Sequence, residues 1–138
     1  MVAVYGTAQK RQLPISVVDA TKQHWVSGAP GGRQGFNYSI KIFIRTEGKV
    51  EFRNLWLGKV NLPFNVEFFD PDIPQKIKQD DTVLLTTVMV NNETNTEEGA
   101  KRLPVEYKGE ALFETTIDGR VRYFIVKNFR LVQELKAR

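Results

Sequence analysis

The residues best suited to hold a ligand lie close together near one end of the chain. His24, Trp25, Arg33 and Gln34 flank or occupy the glycine-rich run Gly28-Ala29-Pro30-Gly31-Gly32-Arg33-Gln34-Gly35. An indole offers a flat apolar surface on which a sugar ring or a peptide side chain can stack, and imidazole, guanidinium and carboxamide groups supply hydrogen bonds around it. This is recognition chemistry, with no activated nucleophile. The run superficially resembles a phosphate loop, but it lacks the Gly-Lys-Ser/Thr ending and leads into alternating apolar residues rather than a helix N-terminus. The plain alternative is a connector whose neighbouring Trp25 plugs one end of the fold. The binding reading assigns ligand contacts to His24, Trp25, Arg33 and Gln34.

The rest of the composition narrows the chemistry by exclusion. There is no cysteine, one histidine and no Gly-x-Ser-x-Gly, so neither thiolate, structural zinc nor triad chemistry is expected; the chain reads as non-enzymatic, without metal or cofactor. Asp70, Asp72, Asp80 and Asp81 lack the spacing of a calcium loop and read as turn residues. Asn37-Tyr38-Ser39 and Asn92-Glu93-Thr94 match a glycosylation pattern that arises often by chance. The net charge is +4, but Arg120 to Arg138 holds six basic residues against Glu134, a local charge of +5 against −1 for the remainder. That asymmetry supports an alternative reading, a small OB-like nucleic-acid binder with Arg120, Arg122, Arg130 and Phe124 forming a basic and aromatic track. It is disfavoured because Arg122 is expected to pair with Glu114.

The elements that must position these residues are strands. Apolar residues recur at every second position, and no segment carries a 3.6-residue stripe. Strands are expected over Leu13–Thr21, Phe36–Thr46, Lys49–Leu57, Lys59–Phe69, Thr82–Val90, a short piece near Val105–Tyr107, Glu110–Thr116 and Arg120–Val132. The fold expected is all-β, a single antiparallel sandwich of immunoglobulin-like type with seven or eight strands over residues 1–138, residues 1–10 and 133–138 being disordered. Two hairpins follow from matching burial to turn length. A three-residue Thr46-Glu47-Gly48 loop sets Ile44 opposite Val50 and Ile42 opposite Phe52. An Ile117-Asp118-Gly119 loop sets Thr115 opposite Val121, Phe113 opposite Tyr123 and Glu114 opposite Arg122, although Asp-Gly also suits a two-residue turn. Trp56 is expected in the core on the face of Tyr38.

The order Ala20-Thr21-Lys22-Gln23-His24-Trp25, a glycine-rich loop, Asn37-Tyr38, a charged hairpin, Leu55-Trp56-Leu57 and Ile77-Lys78-Gln79-Asp80-Asp81-Thr82 resembles small exported or lipid-anchored bacterial β proteins of unknown function. The resemblance spans most of residues 20–90 and implies a β-sandwich at the outer surface of a bacterium. It implies no reaction. The lipobox cysteine is missing, so an export signal is expected upstream of Met1, and a cytoplasmic location if there is none. No apolar run reaches the roughly 20 residues of a membrane span. The function expected is therefore a cell-envelope binding or scaffolding module, with a protein or glycan partner at the loops Gly28–Gly35 and Asn91–Gly99.

Overall fold

A computed structural model describes residues 3–5, 13–28, 32–68, 77–90 and 101–136. They form β1 (Ala3–Tyr5), β2 (Ile15–Val26), β3 (Gln34–Ile44), β4 (Val50–Leu57), β5 (Val60–Leu62), β6 (Asn65–Phe68), β7 (Thr82–Val90), β8 (Ala111–Ile117), β9 (Arg120–Val126) and β10 (Arg130–Lys136). Two five-stranded sheets pack together, one in the order β1-β9-β8-β4-β5 and the other β10-β2-β3-β7-β6. The chain is thus an all-β protein of two packed layers. Among the described residues no helix is long and apolar enough to cross a membrane.

Three expectations about the strands are corrected. The described residues form ten strands, because two expected strands are broken, β1 is added and the Val105–Tyr107 piece is not a strand. Pro63, which cannot donate to a ladder, divides Lys59–Phe69 into β5 and β6 in different sheets. Lys127-Asn128-Phe129 likewise divides Arg120–Val132, and the chain crosses there from the first sheet to the second. Not every pair is antiparallel, since β1 runs parallel to β9 and β10 parallel to β2. Residues 3–5 and 133–136, expected to be disordered, belong to these two strands; 1–2, 6–10, 137 and 138 lie outside the described residues.

The two layers bury one apolar interior. Ile15, Ile40, Ile42, Ile44, Val83 and Leu85 of the second sheet meet Val50, Leu55, Leu57, Phe113, Phe124 and Val126 of the first. Alternation would leave the other face of the first sheet wet, but its strands carry unbroken apolar triplets: Leu55-Trp56-Leu57, Ala111-Leu112-Phe113 and Phe124-Ile125-Val126. Such runs mark a strand buried on both faces. The outward set Trp56, Leu112 and Tyr123 is indeed buried, covered by Leu103, Val105 and Tyr107. The Val105–Tyr107 piece is therefore a cover and not a strand. It is fastened by Trp56 Nε1 donating to Lys101 O (3.1 Å), Lys101 N donating to Asn61 Oδ1 (3.2 Å) and Tyr107 Oη donating to Gly58 O (2.7 Å).

The expected hairpin registers also change. β3 pairs with β2 and β7, and β4 with β5 and β8, so residues 45–49 connect two sheets and Ile44 does not pair with Val50. Both residues remain in the core, because burial parity is the same for a hairpin and for an arch between layers. The β8–β9 turn is the two-residue Asp118-Gly119, with positive φ at both positions (52° and 79°), as a type I′ turn requires. Thr115 consequently faces Arg122, and Glu114 faces Tyr123. Trp56 is 1% exposed, as expected of a core residue, but a register shift at Arg53 helps place it on the outward face with Tyr123, away from Tyr38.

Tyr123 is the polar member of that outward layer. Its hydroxyl donates to Glu114 Oε2 (3.0 Å), and burial, followed by that carboxylate, pushes the phenol up to about 12 from its ordinary 10.0. A raised folded-state value means that the fold favours the protonated phenol, so this stabilisation is complete below pH 10 and is lost as pH rises toward 12. We expect unfolding free energy to fall across that window in the wild type and to fall less in Tyr123→Phe, measured by urea titration at stepped alkaline pH. Equal slopes in the two proteins would contradict the assignment.

Candidate functional site

Along the inward face of β3 the burial decays in one direction. Ile44, Ile42 and Ile40 are 0%, 0% and 1% exposed; Tyr38 and Phe36 are half-buried, and Gln34 is exposed. The same decay runs along β2, from buried Ala20 to half-buried Lys22, His24 and Val26. The first sheet ends at the buried row Leu57–Ala111–Val126, and the second continues past it. The overhang is a shelf. Its inward side carries Lys22 and His24 from β2, Gln34, Phe36 and Tyr38 from β3, Met89 from β7 and Leu131 from β10, brought level by the strand register.

The shelf is a graded row of rings. Ring centroids lie 5.1 Å apart for His24 and Phe36, 6.1 Å for Phe36 and Tyr38, and 5.0 Å for Tyr38 and Phe129, the last pair nearly edge-on. Lys22 Nζ sits 5.9 Å from the Phe36 centroid, in cation–π range. His24 Nε2 lies 3.2 Å from Gln34 Oε1. At the inner end Glu110 Oε2 accepts the Phe129 backbone N–H (2.9 Å), and the Tyr38 phenol is raised by burial and then by the Glu110 charge. Leu131, beside Lys22, is 63% exposed. The arrangement can cover an apolar or aromatic group and hydrogen-bond around its rim.

The four residues singled out in the sequence divide between places. His24 and Gln34 meet on the shelf. Trp25 is on the other face of β2, because neighbours along a strand point oppositely, and its indole lies against Gly35. Trp25 Nε1 is buried without a hydrogen-bond partner among the described residues. Arg33 is exposed, and its carbonyl accepts the Ser27 N–H (2.8 Å), closing the root of the loop. Residues 29–31 of the glycine run and all of Asn91–Gly99 lie outside the described residues. Gly35 itself is a buried strand residue: a Cβ there would lie 2.3 Å from Met89 O and 3.0 Å from Trp25 Cζ2.

Lys22, Phe36, Tyr38, Phe129 and Leu131 were not singled out as site residues from the sequence. The available signal was the change along one face from Ile44-Ile42-Ile40 to Tyr38-Phe36-Gln34, from aliphatic to aromatic to polar. The basic track is not assembled as expected. Phe124 is 2% exposed and stacks on Phe113 (5.3 Å, 16°) inside the core. Arg130 is bound to Asp19 (2.9 Å), whose carboxyl its hydrogen bond holds below the ordinary value, and Arg122 Nη1 donates to Val121 O (3.1 Å). Glu114 bonds Tyr123 and Asn54, so the expected Glu114–Arg122 pair is absent. Asp81 Oδ2 accepts the Lys78 N–H (2.8 Å), while Asp70 and Asp72 lie outside the described residues. Among the described residues no three His, Cys, Asp or Glu side chains gather closely enough to hold a metal ion.

No protein-family model, curated protein or solved structure matches the chain.

The contact between Trp25 and Gly35 gives a stability test. Gly35→Ala should destabilise the protein by about 2–3 kcal/mol, because the methyl meets a backbone oxygen that cannot rotate away. Removing the indole relieves only the softer of the two contacts, so Trp25→Ala in the same background should not restore stability. Urea denaturation of the three proteins measures both effects.

Proposed function

We propose that this chain is a non-enzymatic binding or scaffolding module of the bacterial cell envelope, built on an immunoglobulin-like sandwich and docking a protein partner on the shelf. The observation that carries the reading is the decay of burial along β3, which leaves Phe36 and Tyr38 half-buried and Leu131 exposed on one face. Cores of protein interfaces are enriched in aromatic residues and methionine, and Phe36, Tyr38, His24 and Met89 are of that kind. The carboxamide of exposed Gln34 stands at its outer end, where a rim belongs.

The immunoglobulin-like reading is supported by strand order. β2-β3-β7-β6 opposite β9-β8-β4-β5 follows the A-B-E-D and G-F-C-C′ arrangement of that fold, with β10 and β1 added at the outer edges. In that scheme the glycine-rich connection joins A to B at the end where the shelf projects. The envelope location rests on the resemblance over residues 20–90. The nucleic-acid reading loses its aromatic member, since Phe124 is core.

The test is a double substitution on the shelf, Phe36→Ser with Leu131→Glu. Wild-type protein coupled to a resin should retain a defined partner from an envelope fraction, and the variant should bind that partner about tenfold to a hundredfold more weakly, as expected for hot-spot side chains. The melting transition should remain cooperative. Unchanged retention by the folded variant would refute the shelf as the docking face.

A further inference from the structure

The opposite, outward face of the second sheet holds a feature that the shelf does not explain. Ser39, Thr86 and Asn65 are successive register partners across β3, β7 and β6, so their side chains form one row. Asn37 stands two residues from Ser39 on β3, and Glu67 two residues from Asn65 on β6, both on this same face. With Pro63, Phe64 and Val88 they line a groove of about 500 Å³, within the range of small-ligand sites. One wall is fixed by Thr87 Oγ1 donating to Pro63 O (2.6 Å).

The polar side chains of this groove are unspent. Among the described residues, those of Asn37, Ser39, Asn65, Glu67 and Thr86 make no hydrogen bond or ion pair. Single unpaired side chains on a strand face are ordinary. Five around one concavity, each able to accept and four able also to donate, match a ligand that itself carries many hydroxyls. Half-buried Phe64 and Val88, 51% exposed, supply apolar surface for the C–H side of a sugar ring. No lysine or arginine lines the groove and Glu67 gives it negative charge, which disfavours phosphate, sulfate and carboxylate ligands. We propose that this groove binds a neutral oligosaccharide, with Glu67 accepting from adjacent hydroxyls and Asn37 and Asn65 bridging hydroxyls as both donor and acceptor. Tyr38 also borders the groove, but the proposal does not rest on the protein-docking role of the shelf.

Amide chemical-shift mapping on the folded protein tests it, with cellobiose, maltose, xylobiose, mannobiose and chitobiose as probes and glucose 6-phosphate as an anionic control. At least one disaccharide should saturably shift the amides of Asn37, Ser39, Asn65 and Thr86 with micromolar to millimolar affinity, and the control should not. Asn37→Ala and Glu67→Gln should each weaken that binding by about tenfold, the effect of losing one or two well-placed hydrogen bonds, with an unchanged melting temperature. The proposal is overturned if no disaccharide shifts these amides at high millimolar concentration. It is overturned equally if the shifts cluster on Lys22, His24 and Leu131, or if binding survives both substitutions.

Discussion

β2 and β3 run for twelve and eleven residues while β4, β8 and β9 run for eight, seven and seven, and a sandwich whose layers differ in length leaves the surplus of the longer layer without the shorter layer opposite it. That mismatch organises the molecule. Below the row Leu57–Ala111–Val126 the inward positions of β3 and β7 are aliphatic and dry, as packing between two layers demands. Above it the same faces of the same strands carry rings and polar groups. The side chains change character where the opposing layer stops, so the exposed face is a continuation of the core by other residue types.

The first sheet solves a different problem. With Trp56, Leu112 and Tyr123 on its outward side it would expose a large apolar patch, and residues 101–109 are laid across it and bonded at both ends. One sheet is therefore buried on two faces and shorter, the other covered on one face and longer. The thickness on one side of the molecule and the overhang on the other are complementary, and recognition is left to the longer layer.

The sequence revealed residue burial more fully than strand neighbours. Period-two patterning identified Ile40, Ile42, Ile44 and Val50 as inward, and that is where they are. It could not say whether residues 45–49 were a hairpin or an arch, because a chain that reverses within a sheet and one that crosses between sheets keep the same parity. At Asp118-Gly119 the local turn chemistry was the better guide, since two left-handed residues impose a two-residue turn whatever cross-strand pairing looks attractive. The doubled burial of the first sheet was written in its unbroken triplets. At the site, His24 and Gln34 were legible by residue type, but their separation from Trp25 depended on following strand alternation through positions 24 and 25. Phe36 and Tyr38 looked like core because the change from aliphatic to aromatic residues along one face locates the end of the facing layer only once the strand neighbours are known.

The two parallel strands have a mechanical consequence. β1 holds the first part of the chain against β9, and β10 holds the last part against β2. β2 and β9 begin at the same end of the sandwich, where Arg45 N donates to Pro14 O and Asp118 N to Lys49 O, so all four strands run in one sense. Tension between the chain ends therefore pulls along these strands, not across them, and strains the bonds of each ladder together in shear instead of opening them one by one. Each of the two ladders thus resists separation at the chain ends by many bonds at once.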